Sequence, residues 1–195
     1  MLHYVPTADD TFETILTAAK AGGEWALAEL FRTTQPPLLR YLGARLGADA
    51  EDVTSQVWLE AARSLRSFEG DEAAFRRWIF TIAHRRMANE VRNRQRRRSA
   101  ATPDEALLRA APAASSVEDD ALDAAAGDRA AALIAAVLPP DLAEIVLLRV
   151  VAGLTAEEVG EITGRRAGTV RVLQHRALRR LRTAVEENLV EDVTR

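Results

Sequence analysis

The chain has no cysteine, which excludes disulfides and thiolate metal sites. Aromatic residues make up only 5% of it. Alternating runs of β-branched residues are scarce, so a sheet is not expected. No apolar run approaches the ~18–20 residues needed to span a bilayer, so membrane insertion is not expected either. Met1 to Lys20 carry three acidic residues and lack a basic start ahead of an apolar core, unlike a secretory signal. A soluble, cytoplasmic protein is the expectation. Histidine is limited to His3, His84 and His175, isolated from one another. With no phosphate-binding glycine loop and no paired-carboxylate pocket, the sequence predicts no enzyme, no metal, no cofactor and no small-molecule substrate.

What is present is helix-forming and unevenly charged. The chain has 195 residues, 48% of them hydrophobic, enough for one ordinary domain or two small ones. Ala, Leu and Arg are abundant and favour helix. The net charge of -3 hides two arginine-packed stretches, 84–98 and 165–182, with seven arginines each. Residues 24–98 and 129–185 are each net +4, whereas 99–128 is net -6 and rich in Ala, Ser and Pro. That middle segment has few large apolar residues to offset its ordering entropy. It reads as a flexible acidic linker between two small helical domains, 1–98 and 129–185, with an acidic tail at 186–195. The predicted fold class is all-α, two helical domains, the C-terminal one a helix-turn-helix.

Apolar spacing predicts the elements. Phe12, Ile15, Leu16 and Ala19 mark a first helix. A second starts near Gly23 and is expected to break at Pro36-Pro37, because proline removes a donor and clashes with the preceding turn. Leu38 to Leu46 resume the pattern. Asp49 looks like the N-cap of a helix over Ala50 to Leu65, with Val53, Val57, Trp58, Ala61 and Leu65 on one face. A helix from Glu72 carries Phe75, Trp78, Ile79 and Ile82 into the first basic stretch. In the second domain, Leu133 to Leu138 end at Pro139-Pro140, and Leu142 to Val151 end at Gly153. Thr155-Ala156-Glu157-Glu158 has the form of a capping box opening a short helix to Ile162. Thr163-Gly164 is a turn, and a last helix runs from near Ala167 to about Glu186.

Two helices joined by a glycine turn, the second rich in arginine, form the helix-turn-helix pattern. Val170, Leu173, Ala177, Leu178 and Leu181 would make its buried stripe. The remaining Arg171, Gln174, His175, Arg179 and Arg182, with Arg176 near the boundary, suit a major groove. Arginine can grip guanine bidentately, glutamine can grip adenine, and other arginines can neutralise phosphates. Upstream, aromatics beside the first basic stretch are ingredients for holding unstacked bases. Phe75, Trp78 and Ile82 read as core there. Phe68 and the Glu69-Gly70-Asp71 loop are the better candidates for exposure.

Trp25 to Phe31, Leu38 to Leu42, Asp49 to Ala61 and Phe75 to His84 together resemble region 2 of extracytoplasmic-function sigma factors. Leu138-Pro139-Pro140, Val146 to Arg149, Gly153 to Val159, Gly164 and Gly168 to Arg171 with His175-Arg176-Ala177 resemble their region 4. The resemblance covers about residues 9–98 and 129–184. It implies a subunit that binds core RNA polymerase, at the largest subunit's clamp coiled coil and at the flap, and directs it to promoter DNA. Asp52, Gln56 and Glu60 would be the clamp contacts. Phe68, Glu69, Gly70, Asp71, His84, Arg85, Asn89, Arg92 and Arg94 would open and read the -10 element. Arg165, Arg166, Thr169, Arg171, Gln174, His175, Arg176 and Arg179 would read the -35 element. The acidic linker would run toward the polymerase cleft, and an anti-sigma factor would hold the protein inactive. Family members often have Asn at the position of Arg85 and Asp at that of Asn89, a departure that bears on base preference. The alternative is a stand-alone helix-turn-helix regulator, which binds duplex promoter without polymerase.

Overall fold

The computed structural model describes residues 11–100 and 121–193, with side chains over 11–97 and 125–187. Residues 1–10, 101–120 (the greater part of the expected linker) and 194–195, at the end of the expected acidic tail, lie outside them. Among the described residues eight α-helices carry the fold: α1 Phe12–Lys20, α2 Glu24–Leu46, α3 Ala50–Ser64, α4 Glu72–Ala100, α5 Ala121–Val137, α6 Pro140–Val146, α7 Ala156–Thr163 and α8 Ala167–Val193. No strand occurs among the described residues.

In the N-terminal half, α2 packs against α1, α3 and α4, and α3 packs along α4. Leu38, Leu42, Val57, Ile79, Phe80 and Met87 are almost wholly buried between them. Contrary to expectation, α2 does not break at Pro36 and Pro37 but runs through both. Each proline removes one ladder donor. The ladder acceptors concerned are the carbonyls of Arg32 and Thr33, both exposed residues, where water can reach them. Thr34 and Leu38, buried on either side, hold the helix in line by tertiary packing.

Asp49 precedes α3 as expected, but its side chain makes no cap hydrogen bond. Its carboxylate is taken by Arg94 instead. A short 3-10 turn over Gly47–Asp49 makes the connection.

In the C-terminal half, α5 begins at Ala121, inside the segment read as linker, and packs on α2. Pro139 and Pro140 start α6, where a missing N–H costs nothing. The chain then widens into a π-helical segment, Leu147–Val151, closed by Ala152 N donating to Leu147 O at 3.1 Å. Thr155 and Glu158 form the full capping box of α7. The turn into α8 is tight. Gly164 sits at φ 68°, and a Cβ on Gly160 would meet the Arg165 carbonyl at 2.5 Å, so only glycine lets α7 approach the turn.

The two halves pack against each other. His84 Nδ1 donates to Glu144 Oε1 at 3.0 Å, and the Tyr41 hydroxyl lies 3.4 Å from the same nitrogen. Arg45 donates to the Pro140 carbonyl at 2.6 Å, and Arg40 pairs with Asp128 at 2.9 Å. Arg77 lies 3.6 Å from Glu161. Burial by itself would raise the Glu144 carboxyl. The His84 hydrogen bond and charge, with Arg45 and Arg165, outweigh it and hold the carboxyl below its usual range. The Tyr41 hydroxyl is pushed well above its ordinary value, first by burial and then by the Glu144 charge.

Candidate nucleic-acid interface

The exposed side of α3 carries Asp52 and Gln56, as expected of a docking face. Glu60 belongs elsewhere. Its side chain is only 21% exposed and both of its oxygens are occupied. One accepts from Arg85, the other from Arg86 Nε and Nη2 at 2.9 and 2.6 Å. Glu60 therefore ties α3 to the basic helix. The sequence reading missed Leu59, which is 58% exposed, three residues after Gln56 and seven after Asp52. Its exposure was not visible because Leu reads as core by default.

The loop before α4 divides in the same way. Glu69, Gly70 and Asp71 are exposed. Phe68 is not the exposed aromatic expected: it is 9% exposed, stacked on Trp78 at 4.9 Å and edge-on to Phe75 at 5.6 Å. Residues 65–67 form a 3-10 turn that swings the ring inward over the start of α4. Gly70 is at φ 143°, and a Cβ there would lie 2.7 Å from the Ala74 Cβ. Asp71 spends one oxygen on the Ala74 amide at 2.8 Å, capping α4.

Along α4, Arg85, Asn89 and Arg92 are exposed, and Arg92 donates to the Asn89 carbonyl oxygen. Arg94 is a structural tie rather than an open cation. It donates to Asp49 at 2.9 and 2.5 Å and to the Leu46 carbonyl at 2.6 Å. His84, 25% exposed, faces the C-terminal half. Of the nine residues assigned to this surface, the structure leaves Glu69, Gly70, Asp71, Arg85, Asn89 and Arg92 open to solvent.

Arg166, just before α8, and Thr169, Arg171, His175, Arg176 and Arg179 on it are exposed. Arg171 reaches back to Glu157 of α7, both side chains 60% exposed. The Glu157 carboxyl is lowered, first by a backbone hydrogen bond and then by Arg171. Arg165 is partly covered and lies 3.5 Å from Asp141. Gln174 departs from the sequence reading. It follows buried Val170 by four residues and precedes buried Ala177 by three, which puts it on the inward face. Its Oε1 accepts from Arg149 Nε at 3.0 Å, and the same guanidinium donates to the Leu154 carbonyl. Arg149 so locks the π-helical segment to the recognition helix. Leu178, assigned to the buried stripe, is 43% exposed, and Val172 is 52% exposed on the outer face.

A helix-turn-helix with an arginine-lined second helix, beside another arginine-rich helix, is the surface of a DNA-binding protein. Comparison with known proteins narrows the class. The Sigma-70 region 2 family model matches residues 30–97, and the Sigma-70, region 4 model matches residues 135–183. The ECF RNA polymerase sigma factor SigD of Mycobacterium tuberculosis is 33% identical over 90% of this chain and 84% of its own length. The corresponding factor ShbA of Streptomyces griseus is 33% identical over 87% of this chain and 92% of its own. Among solved structures, the sigma factor RpoE of Bartonella quintana, in co-crystal with the anti-sigma factor NepR, aligns with a TM-score of 0.64 at 21% identity. It covers 82% of this chain and 96% of that one. CnrH, in complex with the cytosolic domain of CnrY, aligns with a TM-score of 0.58 at 17% identity, covering 91% and 99%. At those identities the likeness is one of fold. The chain belongs to the ECF RNA polymerase sigma factors, subunits that direct transcription initiation to promoters.

Proposed function

We propose that the chain docks on core RNA polymerase through the exposed face of α3 and reads a promoter at two elements. Residues 1–98 act as the unit for the -10 element, 129–185 as the unit for the -35 element, and 99–128 as the connection. No helix among the described residues is long and apolar enough to cross a membrane, and the protein works where the polymerase does, in the cytoplasm. The observation that carries the reading is the pair of basic helices with different surroundings. The α4 surface offers Arg85, Asn89 and Arg92 on the helix that follows an exposed loop, which suits a strand already open. The α8 surface offers Arg166, Arg171, His175, Arg176 and Arg179 from a capped helix-turn-helix, which suits duplex.

The sigma factor RpoE, solved with the anti-sigma factor NepR, supports a similar partner here. The ties that join the two halves supply a surface on which such a partner would act. Purified protein mixed with core polymerase is expected to start transcripts at defined positions on a genomic promoter library. Absence of any specific start, with duplex binding retained when polymerase is omitted, would replace this reading by that of a stand-alone regulator.

A further inference from the structure

Val172 stands in the second turn of α8, 52% exposed, with no role in the core. Helical side chains lean toward the N-terminus, so its two methyl groups cover the turn that contains Gly168. Nothing lies within 4 Å of the place a Cβ on Gly168 would occupy. The valine is thus uncovered on that side. Around it on the outer face stand Thr169 and Arg171 before, and His175 and Arg176 after, all exposed. An isopropyl group gains nothing from a phosphate, and it can neither donate to nor accept from a base edge. The one apolar group displayed in the major groove is the C5 methyl of thymine. The N-terminal residues of a recognition helix are those that reach base edges, and Val172 is among them.

We infer that Val172 is a specificity-determining residue, packing on a thymine methyl in the upstream promoter element while the flanking arginines hold neighbouring edges and phosphates. The inference rests on α8 being the duplex reader.

The experiment first selects duplexes from a random library with the polymerase holoenzyme. Each thymine of the selected upstream element is then replaced by deoxyuridine, which deletes that methyl and nothing else. At one position, uracil is expected to weaken the wild-type holoenzyme roughly fourfold, the value of about one buried methylene. The same substitution should leave Val172→Ala unchanged, and Val172→Thr, which keeps one methyl, should fall between. Alanine is the better helix former, so folding of the variant is not at risk. If uracil weakens wild type and Val172→Ala equally, or weakens neither, Val172 does not read a methyl although α8 still reads duplex. A selection that yields no upstream preference removes α8 as the reader and the inference with it.

Discussion

Phe68 separates two jobs that an aromatic residue beside a basic helix can have. Its loop stands open, but its ring is buried, stacked on Trp78 and edge-on to Phe75. Truncating a buried phenylalanine costs about 3–5 kcal/mol through lost transfer energy and the cavity left behind. Phe68→Ala is therefore expected to lower unfolding stability by about 3 kcal/mol in a denaturant titration. A base platform on the surface would behave in the opposite way, losing promoter opening while unfolding like wild type, and that outcome would move Phe68 back to the surface. Gln174 and Leu178 make the same point on α8. Residue type suggested a polar reader and a buried leucine, yet helical phase relative to Val170 and Ala177 puts glutamine inward and leucine outward. The glutamine is tolerated there because Arg149 satisfies its oxygen.

At the scale of elements, most of the fold was legible. The capping box, the glycine turn and the proline stop each act through neighbouring residues, and each appears where the sequence put it. Pro36-Pro37 was misread because local chemistry alone cannot see that α2 packs against α1, α3 and α4, with Thr34 and Leu38 buried on either side of the prolines. The exposed face of α3, proposed as the docking face, was legible in part. Asp52 and Gln56 are open, but Glu60 is spent on Arg85 and Arg86, a pairing across 25 and 26 residues that no periodicity announces. Leu59 and Glu60 are consequently expected to separate cleanly. Leu59→Asp should weaken binding to core polymerase by tenfold or more and leave the melting temperature within about 2 °C, since surface changes away from such ties usually stay within ±0.5 kcal/mol. Glu60→Gln should cost about 1–2 kcal/mol of stability by loosening two arginines. Pull-down on core polymerase beside thermal unfolding distinguishes them; equal loss of binding from both, with unchanged melting, would restore Glu60 as a docking contact.

The whole molecule poses a problem of reach. Elements named -35 and -10 lie about 25 base pairs apart, some 85 Å along the duplex at 3.4 Å per pair. A single compact body of this length has a radius of gyration of only about 16 Å. With α4 and α6 joined through His84 and Glu144, and α2 holding α5 and Pro140 through Arg40 and Arg45, the two reading surfaces cannot serve both elements at once. On the proposed two-element reading the packed arrangement is a resting one, and it also partly covers His84, which the family resemblance assigned to DNA. These ties join residues 60 to 95 positions apart, which is why the sequence did not reveal them.

Glu144 is the member whose state can be set from outside. Its carboxyl is held below the unfolded value, so the stabilisation it contributes is present above that value, about 4.3, and drains away as pH falls through the folded one. Near neutral pH the free protein should scatter as the closed body. Glu144→Gln, which keeps the shape but not the charge, should shift it toward a wider particle, with a radius of gyration larger by about a few ångströms as the two halves separate. Acidification to below the usual carboxylate range, where Glu144 itself takes up a proton, should widen wild type in the same direction and Glu144→Gln much less. Small-angle scattering of both proteins across that range is the measurement. Identical profiles for the two at every pH would mean that Arg40, Arg45 and the apolar contact hold the halves together without help from the His84–Glu144 pair.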